Sequence, residues 1–464
     1  MAVPRIIPRA GHPISRGYID PDALRILYRL HRAGYQGYLV GGSVRDLMTG
    51  RTPKDFDIGT NARPQEIRRL FRNSRIIGRR FRLVHVFFDG GKIVEVSTFR
   101  RPPEAADTEP GGEGAEDILI REDNTFGTPE EDALRRDFTV NGLFYDIATF
   151  AVLDYVGGVD DLEARTIRTI GDPVIRFRED PVRMLRACEF AARLDFRMED
   201  DLLQAIEEVR GEIRKSAAPR VAEELLDPLR RGWGAETYRR WSRTGLLAVI
   251  LPELDREIAD GSASPERETF WRMLAEADQR RGTGEAISEP ALLGALFLPL
   301  VFGAIRRERG KIDAPRLLAT LEKVVNPIAL RLSLPNQAVH LVKHCLYTLG
   351  RLTETRPNDA SARRLVTKAW FPIALSLLSL YSHASGRYGE ALAAWEEVLA
   401  RAGKKVRPGE DLSHAAPFPE ALVPPPALLS RHEIPLPTGG RTEDGRKRRP
   451  RRRGGRRRSA PATR

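Results

Sequence analysis

Hydrophobic and polar positions recur with two different periods along this chain. From Asp20 to His31, apolar side chains recur at helical spacing behind an Asp-Pro start that is typical of a helix N-terminus. The run "GYLV" predicts a strand before Gly41, and "SVRDLM" resumes a helical pattern. The runs "RLVHVFF" and "KIVEVSTF", separated by an Asp-Gly-Gly turn, predict a hairpin. From about Asp160 onward helical periodicity dominates, which predicts a mixed α+β N-terminal part followed by a mainly α-helical remainder.

Two segments have no apolar period. Residues 101–117 are rich in Pro, Gly and Glu, and we expect a mobile surface loop inside one domain. Residues 406–464 read as a Pro-rich linker and an Arg-rich disordered tail, with 10 basic residues in the 13 positions of "RKRRPRRRGGRRR".

Charge is concentrated at the C-terminus. The chain has a formal charge of +12, and residues 441–464 hold 12 basic and 2 acidic residues, so the remainder is nearly neutral. Such a tail suits RNA phosphates without sequence preference, or it serves only to keep the chain soluble. The basic side chains expected to bind RNA are Arg446, Lys447, Arg448, Arg449, Arg451, Arg452 and Arg453.

Two cysteines, Cys188 and Cys345, lie far apart and form no metal-binding or disulfide pattern. The N-terminus has no long apolar stretch, and the run "ALLGALFLPLVFGAI" is interpreted as too short for a membrane span. We therefore expect a cytoplasmic protein without a membrane partner.

The stretch "YLVGGSVRDLMTGRTPKDFDIGT" contains the first candidate chemistry. Gly41 and Gly42 between a strand and a helix let the backbone approach a phosphate closely, and Arg45 adds a charge one turn into the helix. Taken alone, such a Gly-Gly turn is more often only a tight connection.

Two aspartates follow at a spacing of two. On an extended segment Asp55 and Asp57 face the same side, and two charges about 4 Å apart repel by roughly 4 kcal/mol at an effective dielectric near 20. Oxygen ligands without His or Cys suit Mg²⁺, although a solvated turn after Pro53 is the alternative. Alternation within "KIVEVSTF" places Glu95 on one face with Ile93 and Ser97, as a third ligand or as a side chain in water.

Three long motifs in register carry a family resemblance. "LVGGSVRDLMTGRTPKDFDIGTNA", "RRDFTVNGLFYD" and "REDPVRMLRACEFAARL" resemble the active-site, second and base-recognition motifs of the nucleotidyltransferase family that contains bacterial tRNA CCA-adding enzymes and bacterial poly(A) polymerases. The resemblance implies an α+β nucleotidyltransferase (palm) domain with a mixed sheet at 16–160. A helical neck at 161–240 and a helical RNA-binding body at 241–405 would follow.

The resemblance also implies roles for individual residues. Gly41, Gly42 and Arg45 would contact the triphosphate of ATP, and Asp55 and Asp57, with Glu95, would bind two Mg²⁺ ions. The residues expected to position the sugar and phosphates are Arg135, Arg136, Asp137 and Asn141. For the triplet at 135–137, an exposed charge cluster at a helix start is the alternative interpretation.

The base would be selected by side chains of the third motif. Asp180 and Arg183 are three apart on an expected helix, and a carboxylate beside a guanidinium matches the Watson–Crick edge of adenine or cytosine. Arg186 would brace Arg183. An N-cap at Asp180, followed by proline, is the structural alternative.

The segments flanking these motifs resemble the poly(A) polymerase branch. The implied activity is template-independent addition of AMP from ATP to RNA 3′ ends, with release of pyrophosphate. Addition of CCA or a terminal A to tRNA is the alternative, and a noncatalytic RNA-binding scaffold is a remote one. Preferred RNA, oligomeric state and protein partners do not follow from the sequence.

Overall fold

The computed structural model describes residues 4–78, 82–101, 125–259, 261, 264, 266–308, 313–354 and 365–401. Apart from Arg101, the loop predicted at 101–117 lies outside these residues, as do the linker and tail predicted at 406–464.

Strands and helices alternate in the first part of the described chain. The strands are β1 Arg5–Ile7, β2 Gly37–Val40, β3 Ile58–Thr60, β4 Ser74–Ile77, β5 Leu83–Phe87, β6 Ile93–Thr98, β7 Leu143–Asp146, β8 Ala151–Asp154, β9 Thr166–Ile167 and β10 Arg197–Met198. The helices up to residue 209 are α1 Pro21–Arg32, α2 Gly42–Met48, α3 Pro64–Leu70, α4 Pro129–Leu134, α5 Gly158–Glu163, α6 Pro173–Glu179, α7 Val182–Leu194 and α8 Asp200–Val209.

Helices make up the rest of the described chain. They are α9 Ala218–Arg231, α10 Gly234–Arg243, α11 Leu246–Ile250, α12 Pro252–Ile258, α13 Glu266–Gly282, α14 Glu289–Arg307, α15 Ala314–Arg331, α16 Asn336–Glu354, α17 Phe371–Ser385 and α18 Gly389–Arg401. The predicted change from a mixed to a helical part is confirmed. The two-residue strands β9 and β10, which pair in parallel, were missed because they are too short to show a period.

Eight strands form one sheet in the order β1-β8-β7-β2-β3-β6-β5-β4. Only the β3–β6 pair is parallel within this sheet, so the sheet is mixed as predicted. The predicted hairpin is β5–β6, in which Phe87 lies opposite Ile93. Strand β2 lies between β3 and β7, which brings the turn after β2 close to the residues before β3.

One face of the sheet is covered by α1 and α3. Val84, Val86, Val94 and Val96 point to this face and are fully or almost fully buried in one apolar core with residues of both helices, such as Ile26 and Ile67. We call this face the back of the palm. The opposite face, the front, carries Ile93 and Glu95, which are exposed because strand side chains alternate.

The helical neck continues directly from the palm. The indole N–H of Trp241 on α10 donates to the backbone oxygen of Leu185 on α7 over 3.1 Å, and the Tyr238 hydroxyl donates to Leu225 O on α9 over 3.0 Å. Both aromatic side chains are fully buried, as is Cys188. Buried contacts therefore link α7, α9 and α10, and neither cysteine forms a disulfide.

Helix α14 contains the most apolar run. Contrary to the expectation from sequence, this 19-residue helix is long and apolar enough to cross a membrane. The helix is longer than the apolar run, because it continues to charged residues at both ends. However, 72% of the most apolar 18-residue stretch of this helix is buried inside the protein. It packs against α13, α16 and α17, as the core helix of a helical body does.

Candidate active site

The turn between β2 and α2 needs glycine. Gly41 has φ +67° and ψ −125°, and a Cβ at this position would lie 2.8 Å from Nη1 of Arg136. The Arg136 guanidinium also donates to the backbone oxygen of Asn141 over 3.3 Å. The close approach made possible by Gly41 is therefore that of a cationic side chain, which lies directly against the turn that opens α2.

Arg45 lies behind this turn. Its side chain is 1% exposed, donates twice to Asp46 Oδ1 at 2.9 and 2.7 Å, and donates to Asn141 Oδ1 at 2.6 Å. Its guanidinium also stacks 5.1 Å from the ring centre of Phe190 on α7. In this arrangement the Arg45 guanidinium has no free face for the predicted contact with a triphosphate. The short helix α2 packs this side chain against the neck.

Asp57 lies beside Glu95 on the palm. Its backbone oxygen accepts from Val40 N over 3.0 Å, and the next residue, Ile58, pairs in parallel with Val96 of β6. This register places Asp57 next to Glu95, and Asp55 comes two residues earlier on an exposed segment. The three predicted carboxylate residues are thus brought to neighbouring backbone positions by two separate segments of sequence.

The charge around Asp57 is unbalanced. Asp57 is exposed at its surface but has many protein atoms around it, and this loss of water is the first cause that raises its pKa to about 6. The negative charges of Glu95 and Asp55 raise the pKa further, and the nearby Arg136 lowers it. The excess negative charge at Asp57 is the property expected of a site for a cation.

The carboxylates do not yet form a closed ligand set. Within the described ranges, no three His, Cys, Asp or Glu side chains are grouped closely enough to hold a metal ion. The oxygen atoms of carboxylates fit a hard cation such as Mg²⁺ rather than a soft one.

His85 is a residue that the sequence interpretation missed. It lies directly across from Glu95 in the β5–β6 pair, and its Nε2 lies 3.1 Å from Glu95 Oε1. Arg75 of β4 lies across from His85 on the same face. A polar residue in the middle of "LVHVF", opposite a strand glutamate, was the available signal.

The second motif is held by Asp132, another residue that was missed. Asp132 is 3% exposed and accepts from Arg135 Nε over 3.1 Å and from Arg136 Nη2 over 2.9 Å. Burial raises the pKa of Asp132, but the two guanidinium charges outweigh it and hold the pKa below its ordinary value. Arg135 and Arg136 are therefore neither a free surface cluster nor directed at random, since one carboxylate orients both.

Asp137 links the palm to the neck. It accepts from Arg186 Nη2 at 2.8 Å and from Asn141 Nδ2 at 3.0 Å, and Asn141 in turn accepts from Arg45. Burial acts to raise the pKa of Asp137, but the charge of Arg186 and the hydrogen bond from Asn141 lower it to about 2. The predicted residues 45, 137, 141 and 186 thus form one continuous hydrogen-bonded chain.

Asp180 is held by a partner that the sequence did not indicate. Arg220 at the start of α9 donates to both of its carboxylate oxygens, at 2.9 Å each. The N-cap alternative is wrong, because α7 has no side-chain cap and its first turn follows Pro181. Arg220 comes 40 residues after Asp180, so no short-range pattern could have revealed the pair.

Arg183 does not pair with Asp180. It is 9% exposed, and its guanidinium donates to Glu179 Oε2 and to the backbone oxygen of Arg176, both over 3.3 Å. Arg176 donates to the backbone oxygens of Arg135 and Arg136 at 2.7 Å each. The base-recognition motif and the second motif are therefore fixed to each other through backbone acceptors.

An eight-stranded mixed sheet with exposed carboxylates at its centre, joined to a helical neck, defines the class of nucleotidyltransferases. A family model described as "Poly A polymerase head domain" matches residues 37–168, and one described as "Probable RNA and SrmB- binding site of polymerase A" matches residues 195–258. These two matches cover the palm and the later part of the neck.

Individual relatives agree with these matches. Poly(A) polymerase I of Escherichia coli O6:H1 is 40% identical over 380 residues, which cover 81% of each chain. The CCA-adding enzyme of Lactobacillus helveticus is 39% identical, but over 53% of this chain and 56% of its own. The structure of Bacillus stearothermophilus CCA-adding enzyme in complex with CTP superimposes with a TM-score of 0.60 and 25% identity, over 83% of this chain and 84% of the other. The chain belongs to the bacterial poly(A) polymerase family of nucleotidyltransferases, which confirms the resemblance seen in its motifs.

Proposed function

We propose that this protein is a poly(A) polymerase that adds AMP from ATP to RNA 3′ ends without a template and releases pyrophosphate. The observation that carries this proposal is the neighbouring placement of Asp57 and Glu95, with Arg136 against the Gly41 turn beside them. A cluster of negative charge facing a cationic turn is the arrangement that a metal-bound triphosphate requires.

In the proposed reaction the RNA 3′ hydroxyl attacks the α-phosphate of ATP in line, and the bond to pyrophosphate breaks. Asp55, Asp57 and Glu95 would hold two Mg²⁺ ions. When bound, these ions would lower the pKa of the attacking hydroxyl and neutralise charge on the phosphates.

The residues of the chain position the nucleotide. Gly41 and Gly42 offer close backbone approach, and Arg135 and Arg136 present guanidinium groups whose direction Asp132 sets. Asp137 and Asn141 fix the turn, and hydrogen bonds from Arg45 and Arg186 hold these two side chains in place. Arg45 is thus proposed as a positioning residue rather than a direct phosphate ligand.

Asp180 and Arg183 would read the base edge. Arg220 uses one lone pair of each Asp180 oxygen, which leaves acceptor capacity for an exocyclic amine of adenine. Arg183 would donate to a ring nitrogen. Guanine and uracil present the opposite pattern, and unpaired buried groups would cost about 1–3 kcal/mol each.

The extent of the relatives favours poly(A) over CCA addition. The match to a poly(A) polymerase continues over 81% of this chain, whereas the match to a CCA-adding enzyme stops near half of it. Addition of CCA or a terminal A to tRNA therefore remains the second candidate.

The proposed partner is the 3′ end of RNA, and the proposed location is the cytoplasm, without a membrane partner. The Arg-rich segment Arg446, Lys447, Arg448, Arg449, Arg451, Arg452 and Arg453 would add affinity that falls with salt. If about six of its side chains contact phosphates, binding should weaken several hundredfold between about 50 and 200 mM salt.

One gel assay tests the function. Purified protein with Mg²⁺ is given each labelled nucleotide in turn, on a generic single-stranded RNA and on a tRNA that lacks its CCA end. Long ladders on the generic RNA with ATP alone are expected. One to three additions confined to the tRNA, with CTP accepted, would assign the protein to CCA addition instead.

Two variants locate the chemistry. Asp55→Ala should lower AMP incorporation by at least about 100-fold, because it removes one of the carboxylates that would hold Mg²⁺ at the reacting phosphates. Asp89→Ala, in the exposed hairpin turn, is the matched control and should keep activity. Incorporation that survives in the Asp55 variant would overturn the carboxylate assignment, and no incorporation by the wild type would indicate an RNA-binding scaffold.

A further inference from the structure

The outer surfaces of α1 and α3, on the back of the palm, are strongly basic. The two helices lie next to each other, since the Arg29 guanidinium of α1 stacks 5.2 Å from the ring of Phe71 at the end of α3. We define the α1–α3 basic patch as the exposed arginines of this surface, which are Arg25, Arg29, Arg32, Arg68, Arg69 and Arg72.

The acidic residues of these helices are already engaged. Asp22 accepts from Lys92 at 2.8 Å and from Arg25 at 2.7 Å. Glu66 caps its own helix, accepting from the backbone N–H of Arg63 at 2.7 Å. Apart from Arg25, no arginine of the patch is therefore ion-paired with a carboxylate of α1 or α3.

Five arginines of the patch form no ion pair with a described residue, and three of these five also make no side-chain hydrogen bond or ring contact there. Arg32, Arg69 and Arg72 form no ion pair with any residue that the structure describes. Elsewhere on the surface exposed arginines are commonly paired, as in Arg272 with Glu268 and Arg331 with Glu253. A concentration of like charge at one place has an unfavourable self-energy, and a polyanion bound there would relieve it.

The chemistry of the patch favours nucleic acid over a folded protein. Neither α1 nor α3 exposes a large apolar side chain. Protein interfaces have an apolar or aromatic core, whereas contacts to a phosphate backbone need only cationic donors.

The patch is distinct from the proposed catalytic front. The sheet separates the two, because α1 and α3 cover the face to which Val84 and Val96 point, and Glu95 points to the other. An RNA whose 3′ end lies at Asp55 and Asp57 must pass around the palm to reach the patch, so only nucleotides upstream of the 3′ end can contact it.

We propose that the α1–α3 basic patch binds the phosphate backbone of RNA upstream of the 3′ end that is being extended. This inference rests on the proposed function, because it takes RNA as the substrate. It adds a second contact surface, on the opposite side of the palm, which would keep a long RNA attached between successive additions.

The test compares RNA lengths on the full chain. The variant Arg32→Ala/Arg69→Ala/Arg72→Ala removes three of the five arginines without an ion pair, and leaves in place Arg29, which stacks on Phe71, and Arg68, which donates to Arg72 O. Binding is measured by fluorescence anisotropy on a 3′ RNA of about 6 nucleotides and on one of about 40 nucleotides. The dissociation constant of the long RNA should rise about tenfold or more. The slope of its log K against log salt should become less steep by about 2, because each of the three lost contacts contributes roughly 0.7.

Two control variants accompany it. The triple Arg→Lys variant at the same positions keeps the charge and should retain most of the affinity for long RNA. Arg5→Ala/Arg165→Ala/Arg168→Ala removes three exposed arginines that are ion-paired and lie outside the helical body, and should change affinity little. Equal losses in both alanine triples would mean that affinity follows total charge, which would overturn the proposal.

AMP incorporation on the short RNA separates this inference from the proposed function. It should stay unchanged in the patch variant, and its absence in the wild type would refute the function itself. An unchanged affinity for long RNA would refute the patch. If binding to poly-glutamate is lost instead, the surface belongs to an acidic protein partner and the proposal is wrong.

Discussion

Removing the charge of Asp57 should stabilise the protein while it abolishes activity. The pKa of Asp57 is raised to about 6, so its ionised form is disfavoured in the folded protein by loss of water and by Glu95 and Asp55. An increase of about 2 pKa units corresponds to about 3 kcal/mol at about 1.36 kcal/mol per unit. Because the side chain is exposed, solvent screening reduces this to about 1 kcal/mol.

The sign follows from linkage. Below about pH 4 Asp57 is protonated in both folded and unfolded protein, and its charge costs nothing. The wild type loses stability as pH rises through about 6, because the folded protein must then carry the unfavourable charge. Asp57→Asn carries no charge, so its advantage should be present at pH 8 and absent at pH 4.

Thermal unfolding in EDTA at pH 8 and pH 4 measures this difference. We expect Asp57→Asn to melt about 1–3 °C above the wild type at pH 8. At pH 4 the two should melt together. Asp89→Asn, in an exposed turn, is the control and should show no pH-dependent gain. A variant that is less stable than the wild type at pH 8, or equally stabilised at both pH values, would refute the reasoning about charge repulsion.

Three further predictions concern residues around the same cleft. Gly41→Ala should destabilise the protein by roughly 1–3 kcal/mol and lower activity, because its φ of +67° disfavours a side chain and the new Cβ would displace Arg136; denaturant unfolding and AMP incorporation measure this. Arg220→Ala should raise the KM for ATP and weaken its discrimination from GTP by roughly tenfold, since one orienting pair at Asp180 is lost, and Arg220→Lys should restore little because it is not bidentate. His85→Ala should shift the Mg²⁺ dependence of activity to higher concentration, because Glu95 loses the side chain that positions it. The melting temperature should change little, since the Glu95 side chain is exposed, and an unchanged Mg²⁺ titration would exclude a positioning role.

The local features of the palm followed from short-range patterns. The β5–β6 hairpin, the glycine turn before α2 and the exposed position of Glu95 all depend on residues within a few positions of one another. Such features are set by turn chemistry and by the two-residue period of a strand, and both can be recognised in the amino-acid sequence.

The partners of the charged side chains did not follow from the sequence. Asp46 pairs with Arg193, and Asp180 pairs with Arg220, across 147 and 40 residues respectively. A motif shows which side chains carry charge but not which opposite charge the fold brings to them. The phosphate contact predicted for Arg45 rested on its position one turn after the glycines. The sequence did not show that the neck helix α7 packs over α2 and buries this side chain.

Ion pairs, both local and long-range, explain how a cleft rich in arginine can still be ordered without a nucleotide. Asp132 holds two guanidinium groups, Asp137 holds Arg186, and Glu179 holds Arg183. Each pair fixes the direction of donors that would otherwise spread under mutual repulsion, at the cost of desolvating both charges. At Asp57 loss of water and then the negative charges of Glu95 and Asp55 raise the pKa, and nearby Arg136 lowers it only in part. The network therefore leaves positive donors preoriented and one negative cluster uncompensated, so a triphosphate that arrives with divalent cations would meet complementary charge at both positions.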